Sequence, residues 1–159
     1  MIRGAQLAAI AAAGIAGAVL YVSEPAAQTG DTRTIQVTAN VRGSCRFDST
    51  PNINFGDLDP ATAADKEQAV DVSFKCTKGV SYQLIIGDGL NFSGGTNRMA
   101  SALGTDFIPY EITPKTLTGS GQGFGVSDII QVTGTVRGPN YQNVSSGAYA
   151  DTVTLSIQP

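Results

Sequence analysis

Apolar residues recur at every second position in several stretches of this chain after residue 30. That period puts one side-chain set on each face of a β-strand. In residues 34–42, Ile35, Val37, Ala39 and Val41 alternate with Thr34, Gln36, Thr38, Asn40 and Arg42. Residues 68–76 repeat the pattern through Val70, Val72, Phe74 and Cys76, and residues 149–157 do so through Tyr149, Val153, Leu155 and Ile157. The β-branched Ile, Val and Thr suit a pleated, half-buried surface. Residues 43–47 continue the opening stretch in strand-like form, and further strands are expected near 52–56, 82–86, 107–113 and 130–136, with loops at 90–104, 119–125 and 139–147. Pro109, inside one of them, predicts an edge position or a bulge. No stretch after residue 30 keeps a helical period. The expectation is therefore an all-β, immunoglobulin-like antiparallel sandwich. About six strands follow the opening stretch, against about seven in a complete sandwich of that kind. The body is expected to lack its last strand.

Residues 1–27 read as an export signal. Arg3 gives a positive start, 4–22 is uncharged and rich in Ala, Ile, Leu and Val, and Pro25, Ala26 and Ala27 close it near a cleavage point. The competing reading is an uncleaved membrane anchor. The chain carries 10 basic and 13 acidic residues, a formal net charge of −3. A weakly acidic chain without a basic patch argues against nucleic acid and against anionic membranes.

Two cysteines, Cys45 and Cys76, follow the signal. Export favours oxidation, and both fit the inward phase of their strands, so a Cys45–Cys76 disulfide is expected. Two thiols without a single histidine make a poor metal site, and their spacing is not a redox motif.

The stretch 34–42 admits two readings. It is either the first strand of its own sandwich or an arm that completes a neighbour. Only Arg42, Gly43 and Ser44 separate Val41 from Cys45. Such a link spans about 10 Å at most, too little to cross a sandwich and reverse. An arm that projects from its own body is therefore expected, which divides the chain into a signal (1–27), an N-terminal extension (28–41) and a sandwich body (42–159).

An ordered set of motifs supports this reading. It comprises Cys45; Phe55-Gly56; Cys76-Thr77-Lys78-Gly79; Tyr82-x-Leu84 leading to Gly87-x-Gly89; Arg98-Met99; Tyr110; and Gly147-x-Tyr149-x-Asp151-Thr152-Val153-Thr154-Leu155-Ser156-Ile157. With these, the chain resembles the spore coat protein U domain family, which is similar to the subunits of archaic chaperone–usher pili. The family often shows two adjacent arginines before the methionine; here Asn97 takes the first place. The resemblance implies a structural subunit of a secreted surface pilus, carried by a periplasmic chaperone and an outer-membrane usher to the cell surface. It also implies polymerisation with neighbouring subunits by donor-strand complementation. Ile35, Val37, Ala39 and Val41 would be the donor residues, and Val153, Leu155 and Ile157 one wall of the acceptor groove.

Rival functions fit less well. For an enzyme there is no histidine and no spare thiol. Asp57, Asp59, Asp65, Glu67 and Asp71 read as a solvated connection rather than a metal or acid–base site, and the glycine-rich loop 119–125 lacks the lysine of a phosphate cradle. No cofactor or metal is expected. A surface adhesin, using loops 90–104 and 117–128, and a spore-coat-type structural protein with the same fold are the alternatives.

Overall fold

The computed structural model describes residues 30–49 and 51–159. The expected export signal, 1–27, lies outside the described residues. The chain divides into two compact units, Met1–Thr38 and Ala39–Pro159. Of the first, residues 30–38 form no regular structure and are exposed throughout, Ile35 and Val37 to 87% and 88%. Arg33 donates from Nε to Asp31 Oδ2 at 3.0 Å.

Among the described residues the second unit has nine strands and one short turn of 3-10 helix, Gly138–Asn140. The strands are β1 (Cys45–Phe47), β2 (Lys66–Cys76), β3 (Ser81–Gly89), β4 (Asn97–Ser101), β5 (Phe107–Thr113), β6 (Thr116–Ser120), β7 (Asp128–Val136), β8 (Tyr149–Ala150) and β9 (Val153–Gln158). They form a six-stranded sheet, β1-β2-β7-β5-β4-β8, and a three-stranded sheet, β6-β3-β9. Every pairing is antiparallel.

The alternation read from sequence decides which faces meet. In the β2–β7 ladder Val70 lies opposite Val132 and Val72 opposite Ile130, and this row faces the core. Leu84 and Ile86 come from β3, and Ile108, Tyr110 and Ile112 from β5. Phe74 and Tyr82 join the sheets edge to face, with ring centroids 4.9 Å apart.

The sandwich is as expected, but the inventory of strands is finer. Residues 90–104, read as a loop, contain β4, and 119–120 belong to β6 rather than to a glycine loop. The single strand expected across 149–157 is two, β8 and β9, which lie in different sheets. Residues 52–56 and 34–42, both read as strands, belong to none. In 52–56 the alternation serves packing without a ladder: Ile53 and Phe55 reach down onto β7 at Gly134, where a Cβ would stand 2.8 and 2.9 Å from them. Pro109 sits in the half of β5 that pairs with β4 alone, while residues 111–113 pair with β7. A residue without an N–H thus occupies a local edge.

Candidate functional site: a groove beside a free strand edge

A groove of about 900 Å³ runs between the sheets. Val70, Val72 and Val132 line it from the six-stranded sheet, and Ile86, Val153 and Leu155 from the three-stranded one. Residues 51–58 form one bank and β9 the other. The second bank follows from sequence alone. Val153, Leu155 and Ile157 share the inward phase of β9 and pack on the core while remaining partly exposed, whereas Thr154 and Gln158 face solvent. On its other side β9 has no ladder partner among the described residues; its register is with β3, Ile157 opposite Leu84 and Leu155 opposite Ile86.

Of the residues assigned from sequence to the groove wall, Val153 and Leu155 line the groove, and Ile157 packs against the core beyond it. The arm residues Ile35, Val37 and Val41 are exposed. Sequence reading missed the bank formed by Ile53, Phe55 and Leu58, and it missed Tyr141 and Val144. The spacing of Ile53 and Phe55 was visible, but not their landing place over Gly134, which is set by tertiary contact.

The groove ends, at the Val153 side, in a polar knot. Tyr110 donates its hydroxyl to Asp151 Oδ2 at 2.7 Å. The backbone N–H and the Nδ2 of Asn91 both donate to Asp151 Oδ1, at 3.2 and 3.1 Å. Arg98 donates from Nε to the Asn91 carbonyl at 2.9 Å, and its guanidinium lies 4.3 Å from the centre of the Phe107 ring. Burial, and then the bond to Asp151, hold the Tyr110 phenol well above its ordinary pKa of 10.0, so it remains a donor throughout the neutral range. Asp151 packs directly on Gly89, where any Cβ would collide with its carboxylate. Asn97, the departure from the family pattern, is buried and accepts the Gly89 N–H at 3.3 Å. Gly89, Arg98, Tyr110 and Asp151, scattered through the motif set, therefore serve one local purpose. They fix the start of β9 against β3, β4 and β5.

At the opposite end the covalent anchor is Cys45–Cys76, whose residues lie directly opposite each other in the β1–β2 register, 4.1 Å apart at Cα. The expected disulfide is present. Thr77 then fastens the segment that precedes β1. The Ser44 N–H donates to Thr77 Oγ1 at 3.1 Å, the Thr77 N–H donates to the Ser44 carbonyl at 2.9 Å, and the Thr77 hydroxyl lies 3.4 Å from the Arg42 carbonyl. Beyond Arg42 toward the N-terminus no such contact holds Val41 among the described residues, and Val41 is 82% exposed.

Two antiparallel sheets closed on one core, with an apolar groove between them, define an immunoglobulin-like sandwich of the kind found in pilus subunits. Residues 31–156 match the Spore Coat Protein U domain. Protein U of Myxococcus xanthus is 33% identical over 171 residues, covering 92% of this chain and 94% of that protein. The chain belongs to the Spore Coat Protein U domain family. Among solved structures it is similar to a chain of the CsuC–CsuE chaperone–tip adhesion subunit pre-assembly complex, from the archaic chaperone–usher Csu pili of Acinetobacter baumannii. The TM-score is 0.54 at 17% identity, over 74% of this chain and 40% of that one. That likeness concerns the fold, and this chain spans less than half the length of the solved one.

Proposed function

We propose that this chain is a structural subunit of a secreted surface pilus or fimbria, and that it polymerises by donor-strand complementation. Ile35, Val37, Ala39 and Val41 of one copy enter the groove of the next and lie along β9. One observation carries the reading: a groove of about 900 Å³ flanked by an unpaired strand edge occurs in the same chain as an exposed, alternately apolar segment of matching period. Such an edge presents a row of free N–H and C=O groups, and adding a strand satisfies them while the alternate side chains fill the trough. Because the side-chain period is two, a slip of one residue would send Gln36, Thr38 and Asn40 inward instead.

On this reading residues 1–27 direct export, and 28–41 are the donor extension to a body at 42–159. A periplasmic chaperone covers the groove before assembly, an outer-membrane usher passes the subunit on, and the filament stands at the cell surface. The family membership and the fold support this. The test is co-expression with the cognate chaperone, followed by unboiled samples on a denaturing gel. A ladder of multimers is expected, and Val37→Asp abolishes it by placing a charge in the trough. A chain that stays monomeric, and melts cooperatively without the chaperone, refutes the proposal.

The family's description and the 33% identity to Protein U over nearly its full length favour a second reading, a coat-type structural protein using the same interlocking. Immunogold electron microscopy separates the two: thin filaments support the first, a continuous layer the second.

A further inference from the structure

We propose that the two ends of the sandwich body form a second contact between neighbouring copies, in which Phe124 and Val126 of one copy pack on Leu90 and Leu103 of the next. This inference rests on the donor-strand reading.

The two ends are defined by the strand registers. At one end β2 and β9 finish and β3 and β7 begin, and the Cys45–Cys76 disulfide closes that end. The loop carrying Phe124 and Val126 is tied there: the Gly123 N–H donates to the Cys76 carbonyl at 3.0 Å, and the Val126 N–H to the Gly123 carbonyl at 3.1 Å. At the other end β3 finishes at Gly89, opposite Val153, and the Leu90 N–H donates to the Thr152 carbonyl at 3.1 Å. The β4–β5 turn that carries Leu103 is at this end too, because Glu111 and Thr113 pair with Thr135 and Thr133, so the start of β5 lies beyond the end of β7. Leu90 and Leu103 are 82% and 87% exposed, and Phe124 and Val126 are 45% and 50% exposed.

Single exposed aliphatic side chains are ordinary on a protein surface. What commits these to a second copy is the length of the tether. Thr77 holds the chain from Arg42 to Ser44 at the disulfide end. Three residues, from Val41 to Ser44, reach about 10 Å at full extension. Once Val41 is seated in a neighbour's groove, the donor's disulfide end must therefore abut that neighbour. Every pairing in this fold is antiparallel. An arm laid antiparallel to β9 puts its C-terminal residue, Val41, at the Val153 end, beside Leu90. The Phe124–Val126 loop of the donor then faces Leu90 and Leu103 of the acceptor. The contact is head to tail and does not close, so it repeats along a filament.

The experiment uses the full chain with its chaperone and a double variant, Leu103→Cys with Val126→Cys. Both positions are exposed, so the fold is not at stake. The expected result is a multimer ladder that survives boiling without reductant and collapses to monomer when reductant is added. A control pair, Gln131→Cys with Val126→Cys, places one thiol on the exposed middle of β7 and gives no such ladder. A ladder seen only in unboiled samples, or equal cross-linking in the control pair, overturns the end-to-end contact and leaves donor-strand exchange standing. Absence of any ladder from the unsubstituted chain removes the donor-strand reading and this inference with it. As a second measurement, Leu90→Asp with Leu103→Asp lowers the temperature at which the unboiled ladder dissociates. An unchanged dissociation temperature counts against the contact.

Discussion

Reducing the Cys45–Cys76 disulfide removes one constraint without replacing any side chain, and the sequence separation of 31 sets the size of the effect. In the chain-entropy model a loop of that length stabilises the folded state by about 3–4 kcal/mol, because cross-linking restricts the unfolded ensemble. Native packing adds little to the difference. The cysteines face each other in the β1–β2 ladder, and Cys76 is buried. For a body of this size the urea slope is about 1–3 kcal/mol per molar, so refolding the reduced chain lowers the urea midpoint by roughly 1–4 M. The assay is a pair of equilibrium urea curves, followed by circular dichroism, on oxidised protein and on protein reduced in denaturant and refolded under reductant. The slopes should also differ, the reduced chain exposing more surface on unfolding. A stability difference below about 1 kcal/mol refutes the reasoning, because the loop from 45 to 76 would then have to be constrained in the unfolded state already.

Three other outcomes follow from local geometry. Gly134→Ala drives a methyl into Ile53 and Phe55, displaces the bank at 51–58 and costs about 1–3 kcal/mol, read as a lowered urea midpoint together with weaker binding of a synthetic 33–42 peptide to the groove. Tyr110→Phe leaves Asp151 Oδ2 without its donor and costs about 1–3 kcal/mol, measured the same way. In acid, the hydrogen bonds to Asp48 from Ser127, to Asp65 from the Gly138 N–H and to Asp106 from Ser145 hold all three carboxyls below their ordinary 3.8. The stability they contribute is present above that value and is lost as the pH falls through their lowered pKa values. The urea midpoint should therefore be flat from neutrality to about pH 5 and fall below pH 4, the fall being shallower in Asp65→Asn.

Strands whose own residues alternate were legible from sequence: β2, β7 and β9 announce themselves because one face of each is buried and the other wet. The strand β4 was not. Its residues Asn97-Arg98-Met99-Ala100-Ser101 have no apolar period, and they are held extended by pairing with β5 and by the Asn97 and Arg98 hydrogen bonds. The split between β8 and β9 was equally hidden. Tyr149, Val153, Leu155 and Ile157 keep one phase, but Asp151 between them is drawn to Asn91 and Tyr110, and the chain passes from one sheet to the other there. A period detects a face. It does not detect a polar side chain whose partners lie 60 and 41 residues away. For the same reason one bank of the groove could be read and the other could not.

The sheet edges themselves argue for where a partner belongs. Four strands lie at edges among the described residues: β1, β8, β6 and β9. Natural sheets blunt such edges by keeping them short, charged or interrupted, because an open ladder invites unwanted pairing. The first of these edges has three residues and the second two, too few to template a strand. In β6 Gly119 interrupts the edge, and the Tyr82 ring occupies the space its side chain would take. The six residues of β9, Val-Thr-Leu-Ser-Ile-Gln, include no charge, no proline and no glycine. This edge alone is left long, apolar on alternate positions and unguarded, and it borders the groove. An unprotected edge would be a standing liability in a protein meant to remain monomeric. It is an asset where the alternating stretch 34–42 of a second copy is meant to occupy it. Placing Lys at Thr154, on the exposed face of β9, leaves the groove untouched and separates the two cases. Assembly should slow while the fold stands, whereas an edge with no partner to recruit would register no change.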